Sequence, residues 1–240
     1  MKTTHNTVLI TGGSSGIGLA LAKKFLAEGN EVIITGTNAE KLSNVRQALP
    51  GIKVEAANMM DTNALEHLVE KYPDVNILIN NAGVQYNYSF PDQDASIDLV
   101  NNELQTNLVG PVQLITLMLP HLLSKREAAV INVTSSLGVI PKQSAPVYCG
   151  SKAGLHIFTR TLRWQLESTN VKVFELIPPL VETKMTEGRG KRKITPDTLV
   201  EEFWPHFSRD NYEVRIGLTK LLFTIQRFAP SVAERMVRQS

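Results

Sequence analysis

Tyr148 and Lys152 are spaced so that they could act together as a proton donor and acceptor. They open a run, residues 148–168, in which apolar residues recur every three or four positions, which predicts an amphipathic helix. Residues four apart lie one above the other on a helix, so the phenol hydroxyl and the ammonium group share a face. A nearby cation favours the phenolate, so we expect the pKa of Tyr148 to fall from about 10. Such a tyrosine could exchange a proton with a carbonyl or alcohol oxygen. The same pair also meets by chance on many helices.

A glycine-rich turn between a predicted strand and a predicted helix indicates a nucleotide site. Residues 7–11 are apolar and β-branched, and a helical pattern follows at residues 19–26. Glycines let the backbone approach a pyrophosphate, and the start of the helix supplies unpaired N–H groups. Plain turns can also be glycine-rich, but this context favours cofactor binding. The turn reads Gly12-Gly13-Ser14-Ser15-Gly16-Ile17-Gly18.

Predicted strands and helices alternate along the chain, which predicts an α/β fold with a parallel, doubly wound sheet. Asp61 is expected to cap one helix. A longer helical pattern contains Asn107, with Pro111 and Pro120 expected to bend or bound it. Strands are predicted at residues 7–11, 31–35, 52–57, 75–80, 129–134, 171–177 and 212–217. Ligands of such sheets bind beyond the carboxyl ends of the strands. The turns that fall there contain Gly12, Thr37, Asn58 and Asn81.

The end of the second predicted strand carries neither an acid nor a base. In dinucleotide-binding folds an acid there accepts from the 2′-hydroxyl of NAD, whereas a base accommodates the 2′-phosphate of NADP. Thr37 and Asn38 stand here, and both can hydrogen-bond a phosphate without repelling it. We therefore favour NADP(H), with NAD(H) as the alternative.

Composition and charge exclude several classes of protein. The 240 residues are 42% hydrophobic and 20% charged, with a formal net charge of +2 and no basic stripe, so nucleic-acid binding is not expected. The single cysteine, Cys149, allows no internal disulfide and no cysteine-based metal site. The polar first residues and the lack of an apolar run of about 18 residues predict no signal peptide and no membrane span. We expect a cytoplasmic protein that binds no metal.

Two segments toward the C-terminus keep more than one interpretation. Residues 180–193 predict a basic loop that is either a mobile substrate lid, extending to residue 207, or a solvated loop. Residues 218–240 predict a basic amphipathic tail, which Pro230 divides into two short helices. This tail could lie on a membrane surface, as in an enzyme that acts on a lipid, or against a partner subunit. We favour packing on its own domain because the apolar stripe is short. The chain then divides into a catalytic domain, residues 1–217, and a helical extension, residues 218–240. The basic residues of the loop are Lys184, Arg189, Lys191, Arg192 and Lys193.

Taken in order, these motifs resemble the short-chain dehydrogenase/reductase superfamily over about residues 7–183, and are most similar to its DltE-type oxidoreductases. The resemblance implies a Rossmann-type sheet of about seven strands. It also implies an NAD(P)(H)-dependent oxidoreductase that interconverts a carbonyl and a secondary alcohol by hydride transfer. A homodimer or homotetramer, built on the helices that contain Asn107 and Tyr148, is implied as well. The motifs are Thr11-Gly12-x-x-x-Gly16-Ile17-Gly18, Asn80-Asn81-Ala82-Gly83, Asn107, Ser135 and Tyr148-x-x-x-Lys152.

The resemblance implies a role for each matching residue. Tyr148 is the acid/base, and Lys152 lowers its pKa and holds the nicotinamide ribose. Ser135 hydrogen-bonds the substrate oxygen, and Asn107 positions a water that links Lys152 to solvent. Residues 85–90 and 140–146 and the lid should shape the substrate pocket. The implied cofactor-binding residues are Gly12, Ser14, Ser15, Gly16, Ile17, Gly18, Thr37, Asn58, Met59, Asn81, Ala82, Gly83, Tyr148, Lys152, Pro178, Val181 and Thr183.

Three departures from the family pattern bear on function. Thr37 stands where many relatives carry Arg or Asp, and with Asn58 it resembles the NADPH-dependent ketoacyl-carrier-protein reductases. Ser15 stands where those reductases often carry Arg, which argues against NADPH. Pro178-Pro179 replaces a commoner Pro-Gly. The alternative function is a catalytically idle nucleotide-binding regulator or scaffold, and the full catalytic set favours the enzyme.

Overall fold

The computed structural model describes residues 1–190 and 193–238, which fold around one parallel sheet. The strands are β1 (Thr7–Ile10), β2 (Glu31–Gly36), β3 (Lys53–Ala56), β4 (Ile77–Asn80), β5 (Ala128–Val133), β6 (Val171–Ile177) and β7 (Glu213–Arg215). The helices are α1 (Gly16–Ala27), α2 (Ala39–Ala48), α3 (Thr62–Lys71), α4 (Ile97–Leu104), α5 (Gly110–Ser124), α6 (Pro146–Gln165), α7 (Pro196–Ser208), α8 (Thr219–Phe228) and α9 (Pro230–Val237). The strand order is β3-β2-β1-β4-β5-β6-β7, with every pair parallel. This order confirms the predicted doubly wound Rossmann-type sheet.

Strands β1, β4 and β5 form where most residues are apolar and many are β-branched. Every side chain of β4 and β5 is buried, as expected for central strands of a sheet that helices cover on both faces. Four helices, α2, α3, α4 and α7, begin at a side chain that accepts a hydrogen bond from one of their free N–H groups. Asp61 accepts a hydrogen bond from the N–H of Ala64 at 3.2 Å and caps α3, as predicted. Thr195 caps α7 by accepting one from Thr198 at 3.1 Å.

Two apolar layers, one on each face, hold the helices against the sheet. On one face Phe25 of α1 packs with Phe203 and Phe207 of α7, and the rings of Phe25 and Phe207 meet edge to face with centroids 5.6 Å apart. On the other face Leu65 of α3 and Leu114 of α5 are fully buried against the strands, together with residues of α6. The layers leave the carboxyl edge of the sheet uncovered where the strand order reverses between β1 and β4.

Residues 180–207, the predicted lid, have two different parts. The first is a loop with one short helical turn, Lys184–Thr186. The second is α7, whose aromatic residues lie in the core. The idea that the first part moves over a substrate stays a prediction. Two of the basic residues named for it, Lys191 and Arg192, lie outside the described residues.

The long helical segment that contains Asn107 is interrupted, but not by its prolines. Pro111 stands in the first turn of α5, where a missing N–H is tolerated, and Pro120 lies inside that helix. The change occurs instead at a π-helical turn, Gln105–Val109, and such turns are frequent at functional sites. By length and composition alone Ile97–Ser124 could cross a membrane. Its buried side chains, however, pack against the sheet as those of a core helix do.

The C-terminal helices α8 and α9 pack on the rest of the chain. Leu222 of α8 and Ala233 of α9 close around Ile140, in the loop before α6. This contact agrees with the interpretation that the tail packs on its own domain. Only part of the predicted apolar face of α8 takes part in this contact, because Leu221 and Phe228 are 57% and 78% exposed. The last two residues of the tail lie outside the described residues.

Candidate active site

A cleft of about 550 Å³ lies at the carboxyl edge of the sheet, where the turns after β1, β2, β4 and β6 converge. Gly18 and Val181, both predicted to bind the cofactor, do not line it. Gly18 packs against the carbonyl of Gly12, which a Cβ would approach to 2.5 Å, and Val181 belongs to the core. The predicted cofactor residues that line the cleft are Gly12, Ser14, Ser15, Gly16, Ile17, Thr37, Asn58, Met59, Asn81, Ala82, Gly83, Tyr148, Lys152, Pro178 and Thr183.

The glycine-rich turn leaves room and donors for a phosphate. Gly12 has a φ of +64°, and a Cβ there would lie 2.9 Å from the Cα of Ala82. Gly16 has a φ of +55°, and a Cβ there would lie 3.0 Å from Thr183. Only glycine adopts both conformations without strain. Ser15 precedes α1 without capping it by a side-chain hydrogen bond, so the first N–H groups of that helix remain available to an anion.

Asn81 fastens the turn after β4 to the turn after β1. Its Nδ2 donates to the carbonyls of Thr11 at 3.0 Å and of Gly12 at 3.1 Å. In return the hydroxyl oxygen of Thr11 accepts from the N–H groups of Asn81 and Ala82, each at 3.0 Å. These bonds hold the two sides of the cleft at a fixed separation, so Asn81 shapes the site as well as lining it.

The charges of the cleft suit a polyanionic cofactor. Lys41, Lys152 and Lys184 line it, and no Asp or Glu appears among its described lining residues. Lys41 follows the second strand by one helical turn, beside Thr37. Asn38 uses its Oδ1 to cap α2, accepting from the N–H of Lys41 at 2.8 Å. The base that sequence inspection did not find directly after the strand is therefore supplied from the first turn of α2.

Tyr148, Ser135 and Lys152 meet at one end of the cleft. Ser135 follows β5, and although it is not among the described lining residues of the cleft, its hydroxyl lies close enough to that of Tyr148 to lower the pKa of the phenol. The Ser135 oxygen also accepts from the N–H of Leu137 at 3.1 Å, which leaves its own proton free to donate. Lys152 points its Nζ at the carbonyl of Val133, 2.9 Å away, and this atom lies 5.9 Å from the centre of the Tyr148 ring. The end of β5 and the first turns of α6 thus position all three groups.

The pKa of Tyr148 shifts in the direction opposite to the predicted one. Burial raises the pKa of Tyr148 to about 12, although the hydroxyl of Ser135 acts to lower it. Burial also lowers the pKa of Lys152 to about 8. The predicted fall in the pKa of Tyr148 is wrong, because desolvation of the phenolate outweighs the groups that lower the pKa, Ser135 and Arg189. Tyr148 is therefore protonated at neutral pH.

Asn107 is fully buried in the π-helical turn, although a lone Asn in a helix is usually solvated or capping. It donates to the carbonyl of Val84 at 2.8 Å and to Ser151 Oγ at 3.2 Å, and accepts from the N–H of Val84 at 2.9 Å. Gly83 separates it from Lys152. A Cβ on that glycine would lie 3.2 Å from Asn107 Oδ1 and 3.6 Å from Lys152 Nζ. The structure thus brings Asn107 and Lys152 together across Gly83.

A family model described as short chain dehydrogenase matches residues 6–193. The chain belongs to the short-chain dehydrogenase family. The uncharacterized oxidoreductase DltE of Bacillus subtilis is 44% identical to it, over 81% of this chain and 79% of that protein. A probable NADP-dependent dehydrogenase of Haemophilus influenzae is 34% identical, over 75% of this chain and 72% of that protein. A short chain dehydrogenase from Burkholderia cenocepacia, in complex with NADP, superposes with a TM-score of 0.89 over 100% of both chains at 21% identity, which supports the fold alone. The resemblance found in the sequence is therefore confirmed.

Glu103 is a buried acid of this short-chain dehydrogenase that sequence analysis missed. Its oxygens accept from the N–H of Tyr86 and from the hydroxyl of Tyr88, both at 3.0 Å. Burial raises the pKa of Glu103, while these two bonds favour its ionised form. Glu103 thus fastens the loop after β4 to α4. A signal existed, because Glu103 lies four residues before Asn107 and so shares its helix face.

Proposed function

We propose that this short-chain dehydrogenase is an NADP(H)-preferring enzyme that interconverts a carbonyl and a secondary alcohol. The proposal depends on one observation: Tyr148, Ser135 and Lys152 converge at the end of a cleft. The described residues that line this cleft include lysines but no Asp or Glu. A buried tyrosine held protonated beside a serine donor is a suitable proton source for a carbonyl oxygen.

The glycine turn, the free N–H groups of α1 and Lys41 fit a dinucleotide. Thr37 and Lys41 would contact the adenosine ribose and its 2′-phosphate, and Lys152 the nicotinamide ribose. When bound, the nicotinamide supplies a hydride for reduction or accepts one in oxidation. The relative from Haemophilus influenzae described as NADP-dependent supports NADP(H) over NAD(H).

In the reductive direction Tyr148 donates its hydroxyl proton to the substrate oxygen. Ser135 donates a hydrogen bond to the same oxygen, because the Leu137 N–H engages only its oxygen and leaves its proton free. The Lys152 ammonium favours the phenolate that Tyr148 becomes. Asn107, which faces Lys152 across Gly83, would hold a water through which the proton is replaced. The raised pKa of Tyr148 favours reduction near neutral pH, since oxidation requires the phenolate first.

We also propose that the chain assembles as a homodimer or homotetramer. Ile157 and Trp164 of α6 are 55% and 65% exposed, and Leu123 of α5 is 43% exposed. Large apolar side chains exposed on neighbouring helices are typical of an interaction surface. Light scattering during gel filtration measures the mass directly, and a monomer at micromolar concentration would contradict this proposal.

Fluorescence titration of the purified protein with NADPH and with NADH tests the cofactor. Tighter binding of NADPH supports the proposal, and a screen of carbonyl compounds with NADPH then tests turnover. Preference for NADH would reverse the cofactor assignment and leave the catalytic one standing. Cofactor binding without turnover in that screen would favour the alternative of a catalytically idle nucleotide-binding regulator or scaffold, and binding of neither cofactor would contradict both functions.

A further inference from the structure

Two cations, Arg189 and Lys142, lie near Tyr148, beside the cleft but not among its described lining residues. The charge of Arg189 reaches the phenol, and the backbone N–H of Lys142 donates to Sγ of Cys149, the next residue along the chain. Lys142 lies in the loop before α6, Arg189 lies in the loop after β6, and each side chain is half-buried. Burial and the charge of Arg189 lower the pKa of Lys142, and the charge of Arg189 also reaches Tyr148 and Glu103. Like charges that act on each other in this way repel, and an anion beside them would relieve the repulsion.

The described protein gives neither cation a counter-ion within ion-pair distance. Arg189 Nη2 makes one long hydrogen bond, 3.4 Å, to the carbonyl of Gln85. Its Nη1 is buried and has no hydrogen-bond partner among the described residues. Glu103 is the acid whose charge reaches Arg189, but Tyr86 and Tyr88 occupy its two oxygens. A buried guanidinium N–H without an acceptor is unfavourable, so a rotation of this half-buried side chain that brings the donor to an anion would be favourable.

The backbone around Arg189 is adapted to turn it inward. Gly188 and Gly190, on either side, have φ values of +71° and +54°. A Cβ on Gly190 would collide with Leu180. The N–H of Arg189 donates to the carbonyl of Thr186 at 3.0 Å, which closes the turn. Through its bond to Gln85 the side chain links the loop after β6 to the loop after β4.

We propose that Arg189, assisted by Lys142, binds an oxyanion of the substrate, so that the substrate is a carbonyl compound or alcohol carrying a carboxylate or a phosphate. A guanidinium donates charge-assisted hydrogen bonds to either group, and Arg suits their planar geometry better than Lys does. The inference rests on the proposed function, because the oxyanion is placed relative to a carbonyl that Tyr148 protonates.

Matched pairs of substrates test the inference. NADPH-dependent reduction of acetoacetate is compared with that of methyl acetoacetate, and reduction of dihydroxyacetone phosphate with that of dihydroxyacetone. The acid or phosphate should be preferred, and whichever pair shows the preference identifies the oxyanion.

Arg189→Met should lower kcat/KM for the anionic member roughly 10- to 100-fold, the usual range for a charged hydrogen bond, and leave the neutral member unchanged. Lys142→Met should give a smaller loss of the same kind. Arg126→Met, at an exposed position before β5, is the matched control and should change neither.

Calorimetric titration of acetoacetate and dihydroxyacetone phosphate into the protein with NADP⁺ provides a readout that does not need turnover. Anion binding that is lost in Arg189→Met supports the inference even if no carbonyl is reduced, an outcome that would contradict only the proposed function. Equal use of charged and neutral substrates, or anion binding and turnover unaffected by Arg189→Met, would overturn the inference while leaving the reductase intact. Absence of both binding and turnover for the anions would overturn it as well.

Discussion

The separation of Asn107 from Lys152 by a single glycine gives a sharp test of the site. In Gly83→Ala the new Cβ would lie 3.2 Å from Asn107 Oδ1 and 3.6 Å from Lys152 Nζ. Asn107 has little freedom to move away, because three hydrogen bonds hold it to Val84 and Ser151. Overpacking of this kind costs about 1–3 kcal/mol. For a chain of this size that corresponds to a fall in Tm of about 2–10 °C.

The same substitution in open space provides the control. Gly150 lies in α6 between the two residues of the Tyr-x-x-x-Lys motif, and a Cβ there would meet nothing within 4 Å. Alanine is favoured over glycine inside a helix by about 0.5–1 kcal/mol. Gly150→Ala should therefore raise Tm slightly and leave turnover unchanged.

Thermal unfolding followed by circular dichroism, with NADPH-dependent reduction measured in parallel, separates the two variants. Gly83→Ala should also lower kcat roughly 10-fold or more, because a displacement well below 1 Å at a catalytic group is costly. If Gly83→Ala keeps the Tm and kcat of the wild type, the packing of Asn107 and Lys152 against Gly83 does not support catalysis. Equal changes in both variants would also refute the reasoning.

Two further predictions concern the charges of the cleft. Lys41→Met should weaken NADPH binding by roughly 10-fold, the scale of one charge-assisted hydrogen bond, and leave NADH binding unchanged; parallel fluorescence titrations measure this, and equal loss for both cofactors would contradict it. For pH, kcat/KM reports groups of the free enzyme. Because the pKa of Lys152 is lowered to about 8 and that of Tyr148 is raised to about 12, kcat/KM for reduction should be level below pH 8 and fall above it as Lys152 loses its charge. A level profile through about pH 10, near the usual pKa of Lys, would show that this charge is not required.

The sequence predicted the fold and most of the site for identifiable physical reasons. The apolar residues of β4 mark a central strand, and β6 has the predicted bounds. The fixed spacing of Tyr148 and Lys152 on α6 places both at the cleft. Motifs of this kind are local, so their geometry follows from the helix or turn that contains them.

The parts that escaped prediction depend on tertiary burial. The pKa of Tyr148 is raised because the folded chain removes it from water, which the spacing to Lys152 does not reveal. Glu103 became visible as part of the site only through its contacts with Tyr86 and Tyr88. Arg189 was one basic residue in a basic loop until its bond to Gln85 showed that it reaches the loop after β4.

The most direct test of the account is the reaction of Tyr148→Phe, with NADPH binding measured on the same preparation. The ring keeps its packing and only the hydroxyl is lost, so binding should equal that of the wild type. Reduction of an identified carbonyl substrate should fall roughly 100-fold or more, the usual scale for loss of a general acid. Unchanged turnover with intact NADPH binding would show that Tyr148 is not the proton donor and would contradict the account.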